Sequence, residues 1–301
     1  MTVPAADEGR HEPTADALWN ESWYFDFATP DGALGGYVRL GLYPNQRTAW
    51  YWAYLVGEGR PLVAVRDHEV PLPKGRTLEV RAEGLWAQLV CETAQEHWSL
   101  GLEAFTVALD DPATAYHGER GDRVALGLDL EWEAVAPAQS STGLPRYEQA
   151  CSVHGDVLVG DERIQIDGFG ERDHSWGPRD WWTMPWCWTA GRLGDGSAFH
   201  AFRPLVDIPF ASGFILDPSG DVRNVERFTV DTEVGAEGLP VTAAMDVDGL
   251  QLSVTPTQHA PVLLTSSDGK VSRFPRSLCR FDGSQETGWG WTEWLQPPAL
   301  S

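Results

Sequence analysis

The sequence predicts an all-β protein made of two antiparallel barrel or sandwich domains. Short segments of alternating polar and apolar residues, or of mixed aromatic and β-branched residues, recur along the chain. Turn signals separate them, for example Asp248-Gly, Asp268-Gly and Asp282-Gly. No amphipathic helix longer than about two turns can be traced. A length of 301 residues suits two domains of about 150 residues each.

The first half of the chain opens with a polar tail and continues as strands. Residues 1–17 offer nothing to bury, so we expect them to form a disordered tail. Residues 18–140 are expected to form the N-terminal β-domain, which opens with the aromatic segment WNESWYFDF. The segment TAWYWAYLV is typical of a strand buried on both faces, and GLDLEWEA of a strand exposed on one face. The other candidate strands are 36–42, 62–65, 77–82, 85–92 and 97–109.

The second half begins after a stretch rich in Pro, Ser and Gly. This stretch, AVAPAQSSTGLP, is the best candidate for a linker between domains. Residues 146–301 are then expected to form the C-terminal β-domain, with Gly160-Asp161-Glu162 as a hairpin turn. Its candidate strands are 147–153, 156–160, 163–168, 182–188, 197–204, 211–216, 222–230, 241–247, 251–255, 263–267 and 288–295.

Charge and motif content exclude several classes of function. The chain has 22 basic and 44 acidic residues, a net charge of −22, so neither nucleic acid nor an anionic membrane is an expected partner. No apolar run approaches the roughly 18–20 residues that span a bilayer, and the polar N-terminus is unlike a signal peptide. Four distant cysteines, scattered histidines and the absence of nucleotide-binding fingerprints predict a cytoplasmic protein without disulfides, metal or cofactor.

The stretch 168–191, GFGERDHSWGPRDWWTMPWCWTAG, is the candidate functional site. Five of the fifteen tryptophans fall within residues 176–188, beside a run of ionisable residues. An aromatic wall next to a compact group of charges is typical of a ligand cavity. Asp173 and His174 are the candidate catalytic residues, because a carboxylate and an imidazole can donate and accept protons without a cofactor. Acid chemistry would require Asp173 to be protonated near neutral pH, which burial against apolar walls favours.

Strand alternation decides whether these two side chains share a face. It would place Arg172 and His174 on one face, with Glu171 and Asp173 on the other. A bulge at Gly168 or Gly170 would change that assignment. The facing of Asp173 therefore cannot be settled from the sequence.

The aromatic residues around the Asp-His pair are the candidate substrate-binding wall. In an extended strand Trp182, Trp186 and Trp188 would share one face. They could stabilise a developing positive charge by cation–π attraction, worth about 2 kcal/mol or more when desolvated. The other candidates are Trp176 and Arg179 in the same stretch, Glu21 and Trp23 in the opening strand, and Trp289, Trp291 and Glu293 in the closing strand.

Two structural explanations compete with this hypothesis. The charged residues Arg172, Asp173, Arg179 and Asp180 could be salt-bridge partners that fix a loop. The tryptophans could form a barrel core, or the wall of a protein that carries a hydrophobic ligand without reacting with it. Such a carrier would need the wall but not the acid.

The combination of Asp173-His174 with Trp186-Cys-Trp-Thr-Ala190 resembles the carotenoid hydratase family, also called hydroxyneurosporene synthases, and the wider group of AttH-like proteins. The runs RDHSWG and RDW, with the aromatic ends of the chain, look like an uncharacterised branch of that group. The resemblance implies two lipocalin-like β-domains in tandem, with a hydrophobic cavity at or near their interface. It also implies that Asp173 protonates an isoprenoid double bond, that water captures the cation, and that His174 holds Asp173 or handles water.

Residues and resemblance together predict an enzyme that works without a cofactor. The expected reaction is acid-catalysed hydration or dehydration, or cyclisation, of a hydrophobic terpenoid-like molecule, as in a hydro-lyase or an isomerase-type cyclase. The alternatives are a lipocalin-like carrier of a hydrophobic small molecule and a cyclase that acts by cavity shape alone, a pericyclase.

Overall fold

A computed structural model describes residues 3–118 and 120–298, and it confirms the all-β prediction. Three short 3-10 helices span Ala5–Glu8, Pro44–Gln46 and Pro112–His117 in this part of the chain. The strands are β1 (Trp19–Ala28), β2 (Leu34–Tyr43), β3 (Thr48–Gly57), β4 (Leu62–Val70), β5 (Leu78–Ala82), β6 (Leu85–Thr93), β7 (His97–Leu109), β8 (Asp122–Ala134), β9 (Gln139–Ser140), β10 (Arg146–Val159), β11 (Glu162–Pro178), β12 (Trp186–Leu193), β13 (Ala198–Pro204), β14 (Ser212–Leu216), β15 (Val222–Asn224), β16 (Phe228–Val234), β17 (Pro240–Val247), β18 (Leu250–His259), β19 (Val262–Thr265), β20 (Val271–Phe274), β21 (Arg276–Asp282) and β22 (Thr287–Leu295).

The first sheet closes into a barrel. Its strands pair in the order β4-β3-β2-β1-β11-β10-β8-β7-β6-β5, and β4 also pairs with β7, where Leu62 lies opposite Leu109. Eight antiparallel strands therefore form a closed ring, while β5 and β6 extend from β7 and β9 adds to β10. A large apolar cluster that includes Trp23, Phe25 and Trp98 packs within the ring. The closing contact pairs residues 62–64 of β4 with residues 107–109 of β7, so these segments have no free edge.

The second sheet packs against the outside of the first. Its nine antiparallel strands pair in the order β15-β14-β13-β12-β22-β21-β18-β17-β16, and β19 and β20 form a separate hairpin. An apolar cluster that includes Phe199 and Met245 belongs to this sheet alone. Another cluster joins the two sheets and contains Trp52, Trp188 and Trp291. The interface between the sheets is therefore aromatic as well as apolar.

The change from one sheet to the other falls later in the chain than the predicted linker. The sequence assigned β10 and β11 to the C-terminal domain, but both pair in the first sheet, with β8 and β1. The predicted linker contributes β9 to that same sheet, and residues 179–185 make the connection to the second. Hydrophobic alternation identifies strands but does not say which sheet a strand joins. The division into domains 18–140 and 146–301 stays a prediction, while the chain passes from the first sheet to the second at residues 179–185.

The expectation of a disordered tail is wrong for residues 3–17. Val3 and Glu8 are buried, and the 3-10 helix Ala5–Glu8 places Glu8 beside Arg172, with Nη2 and Oε1 2.8 Å apart. A polar segment can thus be held by a buried partner far along the chain, which its own composition does not reveal. Residues 1, 2 and 299–301 lie outside the described residues.

Helices long and apolar enough to cross a bilayer are absent from the described ranges. The location of the protein in the cell and its lack of nucleic-acid partners stay predictions.

Candidate active site between the two sheets

A cavity of about 290 Å³ lies between the outer face of the first sheet and the second sheet. On the first sheet Arg39, Tyr24 and Asp173 are cross-strand neighbours on β2, β1 and β11. On the second, Arg276 and Glu293 are neighbours on β21 and β22. Neighbouring strands lie about 4.8 Å apart. Strand pairing within each sheet and the packing of the two sheets therefore bring five polar side chains from distant parts of the sequence to one site.

Several of the predicted site residues line this cavity, and several lining residues were not predicted. The predicted ones are Asp173, Trp176, Arg179, Trp186 and Glu293. The others include Arg39, Arg146, Arg276, Tyr24, Trp181, Met184, Phe202 and Phe274. Aromatic walls with a few charged groups match the kind of cavity that the sequence indicated.

The Asp173 carboxylate is held at one oxygen and free at the other. Its Oδ2 accepts a hydrogen bond from Nη2 of Arg146 at 2.8 Å. Its buried Oδ1 has no hydrogen-bond partner among the described residues. Arg146 also contacts Glu148, two residues further along the same strand, β10. Asp173 can therefore offer one oxygen to a molecule in the cavity while the other anchors it.

Glu293 faces the same cavity from the second sheet. It pairs with Arg276, and Nε1 of Trp186 donates to its Oε1 at 3.5 Å. Burial raises the pKa of Glu293, the nearby Asp173 charge adds to this, and Arg276 and Arg146 oppose it. Burial and the nearby Asp173 charge therefore favour the protonated form of Glu293.

His174 is not brought into the cavity. Successive side chains of a strand point to opposite faces, so His174 points to the interior of the barrel when Asp173 points outward. Its Nε2 lies 3.0 Å from Oε1 of Glu21, its Nδ1 lies 2.6 Å from the carbonyl oxygen of Asp7, and its ring stacks on Trp23 at 4.4 Å. The expected pairing of Asp173 and His174 in one site is corrected accordingly.

His174 belongs instead to a polar network on the interior face of β11, which also contains the predicted site residue Glu21. Nδ1 of His11 lies 2.7 Å from Oε1 of Glu21. Burial would raise the pKa of Glu21, but hydrogen bonds from His11 and His174 lower it overall. In the same network Arg172 forms the buried ion pair with Glu8. Trp23 packs beside this network and, like Glu21, does not line the cavity.

Four other predicted tryptophans do not line the cavity either. Trp188 and Trp291 are each 1% exposed in the cluster that joins the sheets, and Trp182 and Trp289 pack at its edge. Trp182 does not share the strand face of Trp186 and Trp188 as expected, because β12 begins only at Trp186, after a proline. Proline is found mainly at the ends and edges of sheets, so this boundary could have been expected.

The arginines of the cavity were missed, apart from Arg179. Arg39 is 3% exposed, and neither Nη1 nor Nη2 has a hydrogen-bond partner in the described part of the chain. Arg276 is 2% exposed. One signal was available, since Arg39 is the only charged residue of LGGYVRLGLY, a strand whose ten residues are all buried. A charge in such a strand is rare without a partner.

A smaller cavity of about 180 Å³ lies in the same interface and is lined by Asp26 and Glu171. Burial raises the pKa of Asp26 to about 7, although the Glu171 N–H and the Tyr24 hydroxyl donate to it at 2.8 and 2.9 Å. Burial, with the charges of neighbouring carboxylates, raises the pKa of Glu171 well above its ordinary value. Both carboxyl groups of this smaller cavity therefore hold a proton more tightly than carboxyl groups in water do.

Two groups of side chains have ligand atoms within 4.8 Å of one another, close enough to bind a metal ion. They are Glu148, Glu171 and His200 at the interface, and His11, Glu21 and His174 inside the barrel. The second group is already joined by its own hydrogen bonds. The absence of a metal stays a prediction.

Comparison with known proteins confirms the fold. Among curated proteins none matches the sequence. A protein provisionally assigned as AttH from Nitrosomonas europaea has a TM-score of 0.65 at 18% identity, covering 96% of this chain and 95% of that one. Kievitone hydratase from Nectria haematococca has a TM-score of 0.62 at 13% identity, covering 98% and 93%. CghA has a TM-score of 0.60 at 13% identity, covering 95% and 90%. These similarities support the lipocalin-like, AttH-like architecture that the resemblance implied.

One family is identified from the sequence itself. Its sequence profile matches residues 4–298, a range that spans both sheets and the cavity between them. The family is described as a domain of unknown function, DUF7064. This chain belongs to the DUF7064 family.

Proposed function

We propose that this protein hydrates, dehydrates or cyclises a hydrophobic, terpenoid-like small molecule in the cavity between the sheets, without a cofactor. One observation carries the proposal: Asp173 and Glu293 reach the same cavity from different sheets. Asp173 has a free oxygen, and the pKa of Glu293 is raised. Addition or loss of water needs a proton donor and a proton acceptor around the bound molecule.

In hydration, Glu293 donates its proton to one carbon of a double bond and becomes a carboxylate. Water adds to the other carbon, and Oδ1 of Asp173 takes the proton that this water loses. The product has gained one hydrogen and one hydroxyl group, and the proton then returns from Asp173 to Glu293. Dehydration runs the same steps backwards. In cyclisation a second double bond takes the place of water, and Asp173 removes a proton from the ring product.

This scheme gives the acid role to Glu293, where the sequence analysis expected Asp173. The reason is that the two carboxyl groups have different surroundings. Asp173 is anchored by Arg146 at 2.8 Å and keeps one oxygen free to accept. Glu293 combines burial with the repulsion of Asp173, which favours its protonated form.

The walls of the cavity suit an apolar substrate. Trp181 and Trp186 line it with Phe202 and Phe274, so a hydrocarbon chain would replace water at these surfaces. Their ring faces can stabilise a cationic intermediate by about 2 kcal/mol when water is excluded. Trp176 also borders the cavity, but its ring stacks on His11 with the ring centres 3.8 Å apart.

Two structural relatives support this class of reaction. Kievitone hydratase is a hydratase by name. CghA has been solved with the compound Sch210972, so this architecture can hold a small organic molecule. The proposal takes the type of reaction from these relatives and the identity of the reacting groups from this chain.

A carrier of hydrophobic molecules is the second candidate. It is favoured by the same aromatic walls, which would bind an apolar ligand whether or not a reaction follows. The carrier does not explain why two carboxylates with their own arginines are buried in the walls, since burying such charges is costly.

The test is turnover in water labelled with oxygen-18. Purified protein is incubated with a panel of terpene alcohols and polyenes, and mass spectrometry records label incorporation and loss or gain of water. We expect Asp173→Asn and Glu293→Gln each to lower turnover by about 100- to 10,000-fold, the usual range for general acids and bases. Asp167→Asn is the matched control, because Asp167 is an exposed carboxylate on the same strand.

The outcomes separate the candidates. Turnover at the wild-type rate in both cavity variants would refute the acid–base assignment. Wild-type protein that binds the panel, seen as a change in tryptophan fluorescence, but converts none of it would favour the carrier.

A further inference from the structure

Two guanidinium groups of the cavity form no salt bridge with a carboxylate of the described residues. Asp173 pairs with Arg146 and Glu293 pairs with Arg276. Arg39 and Arg179 also line the cavity, and within the described ranges neither forms a salt bridge with a carboxylate. A buried charge without a counter-charge is rare, so this arrangement calls for an explanation.

Contacts with aromatic rings explain only part of how these two arginine charges are stabilised. The Arg39 guanidinium lies 4.7 Å from the ring centre of Trp52 and 5.2 Å from that of Trp181. Cation–π attraction stabilises the charge but gives the N–H groups no acceptor. Nη1 and Nη2 of Arg39 are both buried without a hydrogen bond in the part of the chain described. Two donor groups of one side chain that lines the cavity are therefore unmatched among the described residues.

Arg179 lies on the same aromatic ring. Its guanidinium is 5.3 Å from the centre of Trp181, and its Nη2 donates to the neutral hydroxyl of Ser175 at 2.9 Å. Burial, with the charges of Arg146 and Arg39, lowers the pKa of Arg179 to about 10. Arg39 and Arg179 are thus close enough to repel each other, and an anion between them would relieve that repulsion.

We propose that Arg39 and Arg179 bind the carboxylate of an amphipathic organic acid, whose apolar body extends along the aromatic walls toward Asp173 and Glu293. The proposal rests on the proposed function in that it assigns the substrate class of the same cavity. A guanidinium offers paired N–H groups that match a carboxylate. Asp173 lies two strands from Arg39, or about 10 Å at 4.8 Å per strand, so the reacting carbons lie several bonds from the acid group.

The anion also makes the proposed chemistry easier. Two unneutralised guanidinium groups would raise the energy of a cationic intermediate in the same cavity through repulsion at low dielectric. A bound carboxylate reduces the repulsion from the two guanidinium groups before Glu293 transfers its proton. Recognition of the acid group and stabilisation of the intermediate are then linked.

Two fluorescent probes with one skeleton test the charge preference. Anilinonaphthalene-8-sulfonate carries an anionic group, and N-phenyl-1-naphthylamine is its neutral counterpart. We expect Arg39→Gln to weaken binding of the anionic probe about tenfold or more, as loss of a charge-assisted hydrogen bond does. Binding of the neutral probe should change by less than about twofold. Decanoate should displace the anionic probe at concentrations where decanol does not.

Three further proteins make the result decisive. Arg39→Lys keeps the charge and should retain most of the affinity for the anionic probe if folding is intact. Arg81→Gln removes an arginine that is 72% exposed and should change neither probe. Circular dichroism and a thermal melt check that each variant is folded.

The outcomes distinguish this proposal from the proposed function. Equal weakening of both probes by Arg39→Gln, or a wild-type protein that binds only the neutral probe, overturns the anion site and leaves the acid–base proposal standing. Binding of neither probe by the wild type overturns both. Anion-selective binding that depends on Arg39, in a protein without turnover on any acidic substrate, supports this proposal and refutes the enzyme.

Discussion

The two faces of β11 carry two clusters of charged side chains that differ in one property. On the interior face Arg172 and His174 are hydrogen-bonded to Glu8 and Glu21. Within the described residues, no buried polar side-chain atom of these four residues lacks a hydrogen bond. On the outer face and on the second sheet that packs against it, the following atoms of the described residues do lack one: Oδ1 of Asp173, Oε1 of Glu171, both ring nitrogens of His200, Nη1 and Nη2 of Arg39, and Nε and Nη2 of Arg276.

This difference separates charged groups that stabilise the fold from charged groups that are available to a ligand. Buried polar groups in folded proteins nearly always have partners, so a complete network is explained by stability alone. An incomplete network needs a ligand, ordered water or a bound proton to complete it. Arg172 and Asp173 are adjacent in sequence yet belong to different networks, because a strand sends successive side chains to opposite faces. Substitutions on the interior face should therefore cost stability, and those on the outer face should alter binding and proton chemistry.

The largest stability effect is expected from Arg172→Met. Arg172 is 3% exposed and donates to both oxygens of Glu8, to Tyr147 and to Gln149. Its removal leaves Glu8 buried as an uncompensated charge and frees the N-terminal segment. We expect a loss of about 3–5 kcal/mol in the free energy of unfolding, the usual cost of breaking a buried pair. Urea unfolding followed by tryptophan fluorescence measures it.

The comparison residue is the next one in the chain. Asp173→Asn should cost less than about 1 kcal/mol, because Arg146 keeps its contact with Glu148. The contrast between the two faces would be wrong if the two neighbours were equally sensitive.

The second prediction concerns the pH dependence of stability at Asp26. Burial raises the pKa of Asp26 from 3.8 to about 7. Between these values the folded chain holds a proton that the unfolded chain has lost, so the free energy of unfolding falls as pH rises from about 4 to 7. Asp26→Asn should remove this slope, by at most about 4 kcal/mol at 1.36 kcal/mol per pKa unit.

Urea unfolding at several pH values between 4 and 8 checks this expectation. Asp129→Asn is the control, because Asp129 is an exposed carboxylate of the first sheet and should leave the slope unchanged. A slope that is the same in wild type and Asp26→Asn would show that the carboxylate is ionised in the folded protein throughout this range.

Local pattern was enough to predict the strands and the region of the site. Alternation and turn residues identified most strands, and the density of tryptophan located the cavity through Trp176 and Trp186. The alternation argument also placed Asp173 and His174 on opposite faces, which the structure shows. Alternation does not predict which other part of the protein packs against each face of a strand.

The residues that were missed are those whose role depends on the other sheet or on a distant strand. Arg39 is brought to Asp173 by the β1–β2 and β1–β11 registers, and Arg276 by the packing of the second sheet. Glu8 was expected to lie in a disordered tail, because its partner Arg172 is far away in the sequence, on β11. His174 was expected in the site because a bulge at Gly168 or Gly170 could have changed its facing, but it points to the barrel interior, where it contacts Glu21. The packing of one sheet against another depends on tertiary structure, so a short stretch of sequence does not predict it.

The smallest predicted effect concerns the hydrogen bond between Tyr24 and Asp26. The Tyr24 hydroxyl donates to Oδ2 of Asp26 at 2.9 Å, and this bond lowers the pKa of Asp26 against the larger effect of burial. Tyr24→Phe removes a bond that stabilises the carboxylate more than the protonated acid. Its cost should therefore grow as pH rises through 7, reaching about 1 kcal/mol at pH 8. In the Asp26→Asn background the cost of Tyr24→Phe should not vary with pH, since the titrating partner is gone. An equal cost at pH 5 and pH 8 in the wild-type background would mean that this hydroxyl serves packing alone, as the polar groups of the interior face serve stability.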